Sequence, residues 1–374
     1  MNKEIEEIKE KRRWVIKIGS ALITDNGCGL KHNVLDSWVG QISTLTERGI
    51  DIVIVSSGAV AEGLTRLGWQ DRPKIVSKLQ AAAAVGQMGL IQAYEFCFQK
   101  YSKHTAQVLL THDDIADRTR YLNARTSLNT LLQLGVIPIV NENDTVATDE
   151  IRFGDNDTLA GLVANLIDAE LLILLTDQKG LYTSDPRKNE SAKFIEKAEA
   201  SDPALINYAG KSNAQGRGGM QTKIKAALIA AKSNTDTVIA SGNEELTLLK
   251  IADGNFVGTL LTTSKKTLSA RKQWLANQSY VKGTITIDSG AVSALVKSGK
   301  SLLPIGVKSI TGEFKRGEIV SCVDGKGKEI ARGLSNYNST QARLIIGKSS
   351  KDIQKLLDCA EEDEIIHRDN MILI

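Results

Sequence analysis

The chain is poor in proline, cysteine, histidine and aromatic residues, and each scarcity removes a class of protein. Five prolines in 374 residues are about 1%, where about 5% is usual, so turns must lean on the 31 glycines. Cys28, Cys97, Cys322 and Cys359 lie far apart with no CxxC pair, which argues against a zinc site and a disulfide framework and fits a reducing cytoplasm. His32, His104, His112 and His367 show no ligand spacing, and the surroundings of Ser57 lack a GxSxG elbow, so zinc-enzyme and hydrolase readings rank low. Nowhere do 18 uncharged apolar residues run together, and the N-terminal MNKEIEEIKEKRRW is charged, so neither a membrane span nor a signal peptide is expected. A net charge of +3 is too small to argue for nucleic acid.

What remains is the composition of a globular protein, 42% hydrophobic and 24% charged, in a chain longer than one hydrophobic core usually spans. Residues 14 to 263 alternate short apolar runs with helix-period segments, which predicts an α/β domain on a mostly parallel open sheet with helices on both faces. The predicted strands are Trp14 to Ile18, Ile50 to Ser56, Thr105 to Leu110, Val136 to Val140, Leu171 to Leu175 and Thr237 to Ala240. The predicted helices are Val34 to Arg48, Pro73 to Tyr101, Arg120 to Leu134, Thr158 to Ile167 and Met220 to Lys232. Gly49 and Gly135 read as left-handed helix caps placed directly before strands.

The division expected is a domain over 1–262 with a charged extension at 1–13, a basic linker at 263–280, a small β-barrel-like module at 281–359 and an acidic tail at 360–374. In the module, GTITID, GVKSITG, EIVSCVDGKGKEIARGL and ARLIIG read as strands, with Asp324-Gly325 as a hairpin turn. Charge follows the same division. Residues 265–359 hold 17 Lys and Arg against 7 Asp and Glu, residues 1–264 come to −3, and the tail carries −4. A basic stretch of this kind motivates an RNA-binding alternative, although a charge run is more often a solvated face and few aromatics accompany it for stacking.

Ligands of open α/β sheets bind beyond the carboxyl ends of the strands. Those ends read Lys17-Ile18-Gly19-Ser20, Ser56-Ser57-Gly58-Ala59, Asn141-Glu142-Asn143-Asp144 and Thr176-Asp177-Gln178-Lys179-Gly180, joined by Gly154-Asp155-Asn156-Asp157-Thr158 and the loop Gly216 to Lys223. One rim therefore gathers small residues with free backbone N–H groups, lysines and carboxylates, an inventory suited to phosphoryl transfer. Neither GxxxxGK[ST] nor GxGxxG follows the first strand, so Walker-type and dinucleotide sites are unsupported. Singly, each feature has a plainer reading: Lys17 a snorkelling strand-end lysine, Ser57-Gly58 a turn, Asn156 or Asp157 a helix cap, Lys223 a solvated helix residue. Their occurrence at consecutive strand ends favours a site.

VIKIGSALIT, IVIVSSGAVAEG, AAAAVGQ, VNENDTVATDEIRFGDNDTLAGLVA, LLTDQKGLYTSDPR and GRGGMQTK, in unbroken order from residue 14 to about 262, resemble the glutamate 5-kinases of the amino acid kinase superfamily. The stretch from Val281 to Cys359 is similar to a PUA domain. The resemblance implies transfer of the ATP γ-phosphoryl group to the side-chain carboxylate of L-glutamate, the first step of proline biosynthesis, with Mg²⁺ and no assigned protein ligand for the metal. It implies Lys17, Lys223 and Asp157 as the catalytic set. Ser57, Asp144 and Asn156 correspond to glutamate-binding positions. Lys17, Thr176, Asp177 and the run Arg217, Gly218, Gly219, Met220, Gln221, Thr222, Lys223 correspond to nucleotide-binding positions, and backbone N–H groups of Gly19 and Gly58 to phosphate contacts. It also implies feedback inhibition by proline, a homotetramer, hand-over of the product to glutamyl phosphate reductase and RNA binding as an open property of the PUA module. Arg217 stands where the family usually has threonine, and Glu62 and Leu64 where smaller or basic residues are common.

Overall fold

The computed structural model describes residues 7–25, 28–146, 156–209, 219–255, 257–263, 281–348 and 362–374. The chain divides into two compact units, Met1–Ile115 with Ser127–Lys265, and Ala116–Thr126 with Lys266–Ile374. Arg217, Gly218 and nearly all of the basic 263–280 segment lie outside the described residues.

The first unit is built on an eight-stranded sheet of β1 (Arg13–Ile18), β2 (Asp51–Ser56), β3 (Thr105–Leu110), β4 (Ile137–Glu142), β5 (Leu171–Thr176), β6 (Lys197–Glu199), β7 (Asp236–Ser241) and β8 (Thr259–Thr262). Their order is β6-β8-β7-β5-β1-β2-β4-β3. Pairing is parallel except between β7 and β8. The expected open parallel sheet is thus present, and six parallel strands direct their carboxyl ends to one rim.

Alternation along β1 decides which side chains reach which layer. Trp14, Ile16 and Ile18 join the apolar cluster made with helices α1 (His32–Glu47) and α3 (Val76–Gln99), including Trp38, Ile42, Tyr94 and Phe98. Lys17 therefore faces the other layer, where α4 (Asn156–Leu166) and α5 (Met220–Ala231) pack together. Gly49 and Gly135 adopt φ of 81° and 71°, the left-handed caps that the sequence predicts before β2 and β4.

One helix differs in kind from the sequence reading. The expected helix Pro73 to Tyr101 begins only at Val76, because Ile75, its N-cap, is extended at φ −82°, ψ 124°. A separate helix, α2 (Ala59–Arg66), precedes it. The two cross at backbone contact: a Cβ on Gly86 would sit 1.9 Å from Ala59 O and 2.3 Å from Gly63 N. The other boundaries move by one or two residues, as between the expected Arg120 to Leu134 and the observed Arg118–Gln133.

The second unit carries a five-stranded sheet of β9 (Gly283–Ile287), β10 (Val307–Gly312), β11 (Ile319–Val323), β12 (Glu329–Leu334) and β13 (Met371–Leu373), ordered β10-β9-β11-β12-β13. Helices α6 (Ser289–Ser298) and α7 (Ser339–Leu344) accompany it over a core that includes Ile285, Cys322, Ala331 and Ile366. ARLIIG is not a strand. Asn338 accepts from the Gln341 backbone at 2.9 Å while Gln341 Oε1 accepts from the Asn338 backbone at 3.3 Å, and this capping box starts α7. The Asp324 hairpin is present, but its left-handed residue is Gly327 at φ 81°, because the Asp324 carboxylate folds the loop by accepting from the Lys326 and Lys328 backbones. The segment after residue 360, read as an acidic tail, contributes Ile365 and Ile366 to the core and β13 to the sheet. No described helix is long and apolar enough to cross a membrane.

Candidate active site

The predicted lysines and Asp157 meet. Lys17 Nζ, from the penultimate residue of β1, lies 2.6 Å from Asp157 Oδ1, and Lys223 Nζ, from the first turn of α5, lies 3.0 Å from Oδ2. Thr222 Oγ1 donates to the same Oδ2 at 2.6 Å. All three ionic groups are buried, with Lys17 5%, Asp157 0% and Lys223 4% exposed. Burial pushes the Asp157 carboxyl up, but the two ammonium groups and the Lys17 and Thr222 hydrogen bonds overcome it and hold the group below the ordinary carboxylate range. Asp157 is therefore an ionic pivot rather than a helix cap. Two buried ammonium groups thus share one carboxylate, an arrangement suited to receiving an anionic ligand.

The surrounding backbone suits such a ligand. Gly58 caps α2 at φ 114°, a conformation that favours glycine. A Cβ built on Gly19 would stand 3.6 Å from Lys17 Nζ, so this bend of the chain runs directly beside the ammonium group. At the neighbouring rim, Thr176 Oγ1 donates to Asp177 Oδ1 at 3.0 Å, and Thr176 O accepts from Gly242 N at 2.7 Å, which joins the ends of β5 and β7. Gly219 is extended and precedes α5, with Met220 and Gln221 half-buried in its first turn.

Asn156, the residue before the pivot, belongs to a second cluster. Its Nδ2 donates to Ser57 Oγ at 2.9 Å, to Asn141 Oδ1 at 2.9 Å and to Ser56 O at 3.2 Å. The first residues of α4 thus connect the lysine pair to the Ser57 turn. Asp144, half-buried two residues beyond β4, has its carboxyl pushed up to about 6 by burial, against the opposing Arg72 guanidinium. Asn141 and Gln87, neither assigned a role from sequence, complete the second cluster through an Asn141 Nδ2 to Gln87 Oε1 bond of 2.8 Å. A sequence signal exists for both: Gln87 interrupts the apolar run AAAAVGQMGLI, and Asn141 ends the apolar run VIPIVN. Among the described residues no three His, Cys, Asp or Glu side chains gather to hold a metal ion. The donor set here is cationic at its centre, so a divalent ion would fit only when carried by ligand phosphates.

Residues 12–241 match the model of the amino acid kinase family, and residues 283–357 match the PUA domain. Over 368 residues the chain is 56% identical to the glutamate 5-kinase of Nitrosospira multiformis, covering 98% of this chain and 99% of that protein. The chain belongs to the glutamate 5-kinases of the amino acid kinase family. A second member, from Pseudomonas savastanoi pv. phaseolicola, is 56% identical over 364 residues, 97% of this chain and 99% of its own. As a member of that family the chain is a kinase. Among solved structures it is similar to UMP kinase from Bacillus anthracis, at TM-score 0.48 and 18% identity over 67% of this chain and 96% of that one. It is also similar to isopentenyl phosphate kinase from T. acidophilum, at 0.46 and 17% over 67% and 99%. The glutamate 5-kinase match extends through both units, so the PUA domain is shared with these relatives.

Proposed function

We propose that this kinase transfers the γ-phosphoryl group of ATP to the side-chain carboxylate of L-glutamate, giving glutamyl 5-phosphate and ADP as the first step of proline biosynthesis. The observation that carries this reading is the buried Lys17–Asp157–Lys223 cluster, in which two ammonium groups share one carboxylate. A carboxylate oxygen of glutamate attacks the γ-phosphorus, the bond to the β,γ-bridging oxygen breaks, and ADP leaves. The acceptor is already ionised at neutral pH, so no general base is required, consistent with a rim built from lysines rather than histidine. Lys17 and Lys223 offset the charge on the transferring oxygens, and Asp157 orients both ammonium groups. Backbone N–H groups at Gly19 and Gly58 add hydrogen bonds. Thr176, Asp177 and the run Arg217 to Lys223 hold the nucleotide, while Ser57, Asn156 and Asp144 hold glutamate, Asp144 facing its ammonium group. Mg²⁺, carried by the nucleotide phosphates, supplies further neutralisation of their charge. The same reading extends to feedback by proline, a homotetramer, a cytoplasmic site of action and delivery of the acyl phosphate to a reductase.

The test is ADP release measured with glutamate, aspartate and acetylglutamate in parallel. Turnover is expected with glutamate; preference for either of the others overturns the substrate. A second readout follows from Asp144. Its folded carboxyl titrates near 6, above its unfolded value of about 4, so in the free protein stability declines as pH rises between those values. Below about 6 the group gains a proton and loses its attraction for an ammonium group. The value of kcat/KM for glutamate should therefore fall about tenfold per pH unit below that point. KM for ATP should change little, and an Asp144→Asn variant should lack this limb.

A further inference from the structure

We infer that Gln87, on α3 and outside the assigned substrate-binding set, is a positioning residue that, through Asn141, helps Ser56 O hold the amide orientation of Asn156. The inference rests on the reading of Asn156 as a glutamate-binding residue. It starts from a polarity that the backbone imposes. Ser56 O can only accept, so the end of the Asn156 amide that reaches it, at 3.2 Å, must be Nδ2. The same Nδ2 lies 2.9 Å from Asn141, which must therefore present Oδ1. Asn141 then has its own NH₂ group turned toward α3, in a place where the residue is 2% exposed. Gln87 Oε1 accepts from it at 2.8 Å.

An apolar residue at position 87 would strand the Asn141 NH₂ group in the interior. The least costly relief is a half-turn of the Asn141 amide, which would set its NH₂ against that of Asn156 and release the latter. Gln87 thus reinforces, through the relay of Asn141, the sense that Ser56 O imposes on the Asn156 amide. The consequence at the site is that Asn156 Nδ2 is committed to Ser56, Ser57 and Asn141, and Oδ1 is the end presented to a ligand. An acceptor there suits the ammonium group of an amino acid, whereas a flipped amide would oppose it with N–H donors.

The anchor is firm because α3 cannot drift. Gly86, beside Gln87, is in backbone contact with α2, the helix that opens directly after Ser57-Gly58. Seven residues along, two turns of helix, Tyr94 OH pairs with Ser56 Oγ at 2.9 Å in full burial. Helix α3 therefore grips the carboxyl ends of both β2 and β4, through Tyr94 and Gln87 respectively.

The test is steady-state kinetics on the full-length protein carrying Gln87→Met, which matches the side chain in length and removes its acceptor. KM for glutamate is expected to rise about tenfold, with KM for ATP within about twofold of the parent. Gln87→Glu, which keeps an acceptor oxygen, should return KM for glutamate to within about threefold. In an Asn141→Ala background, Gln87→Met should add nothing, since the relay is already cut. Gln87→Leu serves in place of Gln87→Met should that variant not fold. A glutamate KM within twofold of the parent, an equal rise in both KM values, or an undiminished effect in the Asn141→Ala background overturns the relay. Asn156→Ala separates the two levels: unchanged glutamate KM in that variant overturns the placement of glutamate and the inference with it, whereas a raised value beside an unaffected Gln87→Met overturns the relay alone.

Discussion

Lys223→Ala is expected to lower kcat by about a thousandfold while the protein stays folded, the scale found when a preorganised cation or oxyanion donor is removed from a transferring group. In the free protein Lys223 shares Asp157 with Lys17, and all three side chains are buried. Removing one ammonium group leaves a neutral Lys17–Asp157 pair and relieves the repulsion between two cations held on one carboxylate. The melting temperature of the ligand-free variant should therefore equal or exceed that of the parent, a separation of function from stability typical of strained sites. The measurement is single-turnover ADP formation beside a thermal melt. Near-normal turnover would remove Lys223 from the chemistry, and a collapsed melt would make its role structural.

Asp157→Asn should do the opposite to stability. The substitution is nearly isosteric, yet it removes the charge of the carboxylate that two buried ammonium groups share, and breaking a buried ion pair costs about 3–5 kcal/mol. Activity should fall at least about a hundredfold, because neither lysine is held on the phosphoryl path. The pH dependence carries the sign of the effect. The Asp157 carboxyl is held below its unfolded value, so its contribution is complete above about 4 and is lost as pH falls through the lower folded value. The gap in unfolding free energy between parent and Asp157→Asn should be constant from about pH 7 to 5 and narrow below about 4. ATP without glutamate should raise the melting temperature of both proteins, because its phosphates add an anion beside the two lysines in the folded state alone. A gap that does not narrow in acid would mean that Asp157 is not the ionic partner of the lysines.

Much of this architecture is legible from local signals. The six parallel strands follow from apolar runs, and the glycine caps before β2 and β4 follow from Gly49 and Gly135, because both report on chain segments a few residues long. The misreadings have local causes as well. ARLIIG carries two β-branched isoleucines, yet the reciprocal hydrogen bonds of Asn338 and Gln341 set a helix there. The C-terminal residues read as an acidic tail because of the four successive carboxylates from Glu361 to Glu364, whereas Ile365, Ile366 and Met371 carry the burial.

The sequence by itself determined which chemistry the rim could hold: lysines, glycines and carboxylates at successive strand ends, with no histidine set, P-loop or dinucleotide fingerprint. The pairing of those groups was decided only by tertiary structure. Asp157 and Lys223 are 66 residues apart, and Gln87 and Asn141 are 54 apart, so no local period relates them. Periodicity states that a side chain is buried; it does not state what it meets. A buried amide or carboxylate takes its meaning from its partner. The partner is fixed by which strands lie adjacent, by the close backbone approach to α2 that leaves no room for a Cβ at Gly86, and by the face of β1 from which Lys17 emerges.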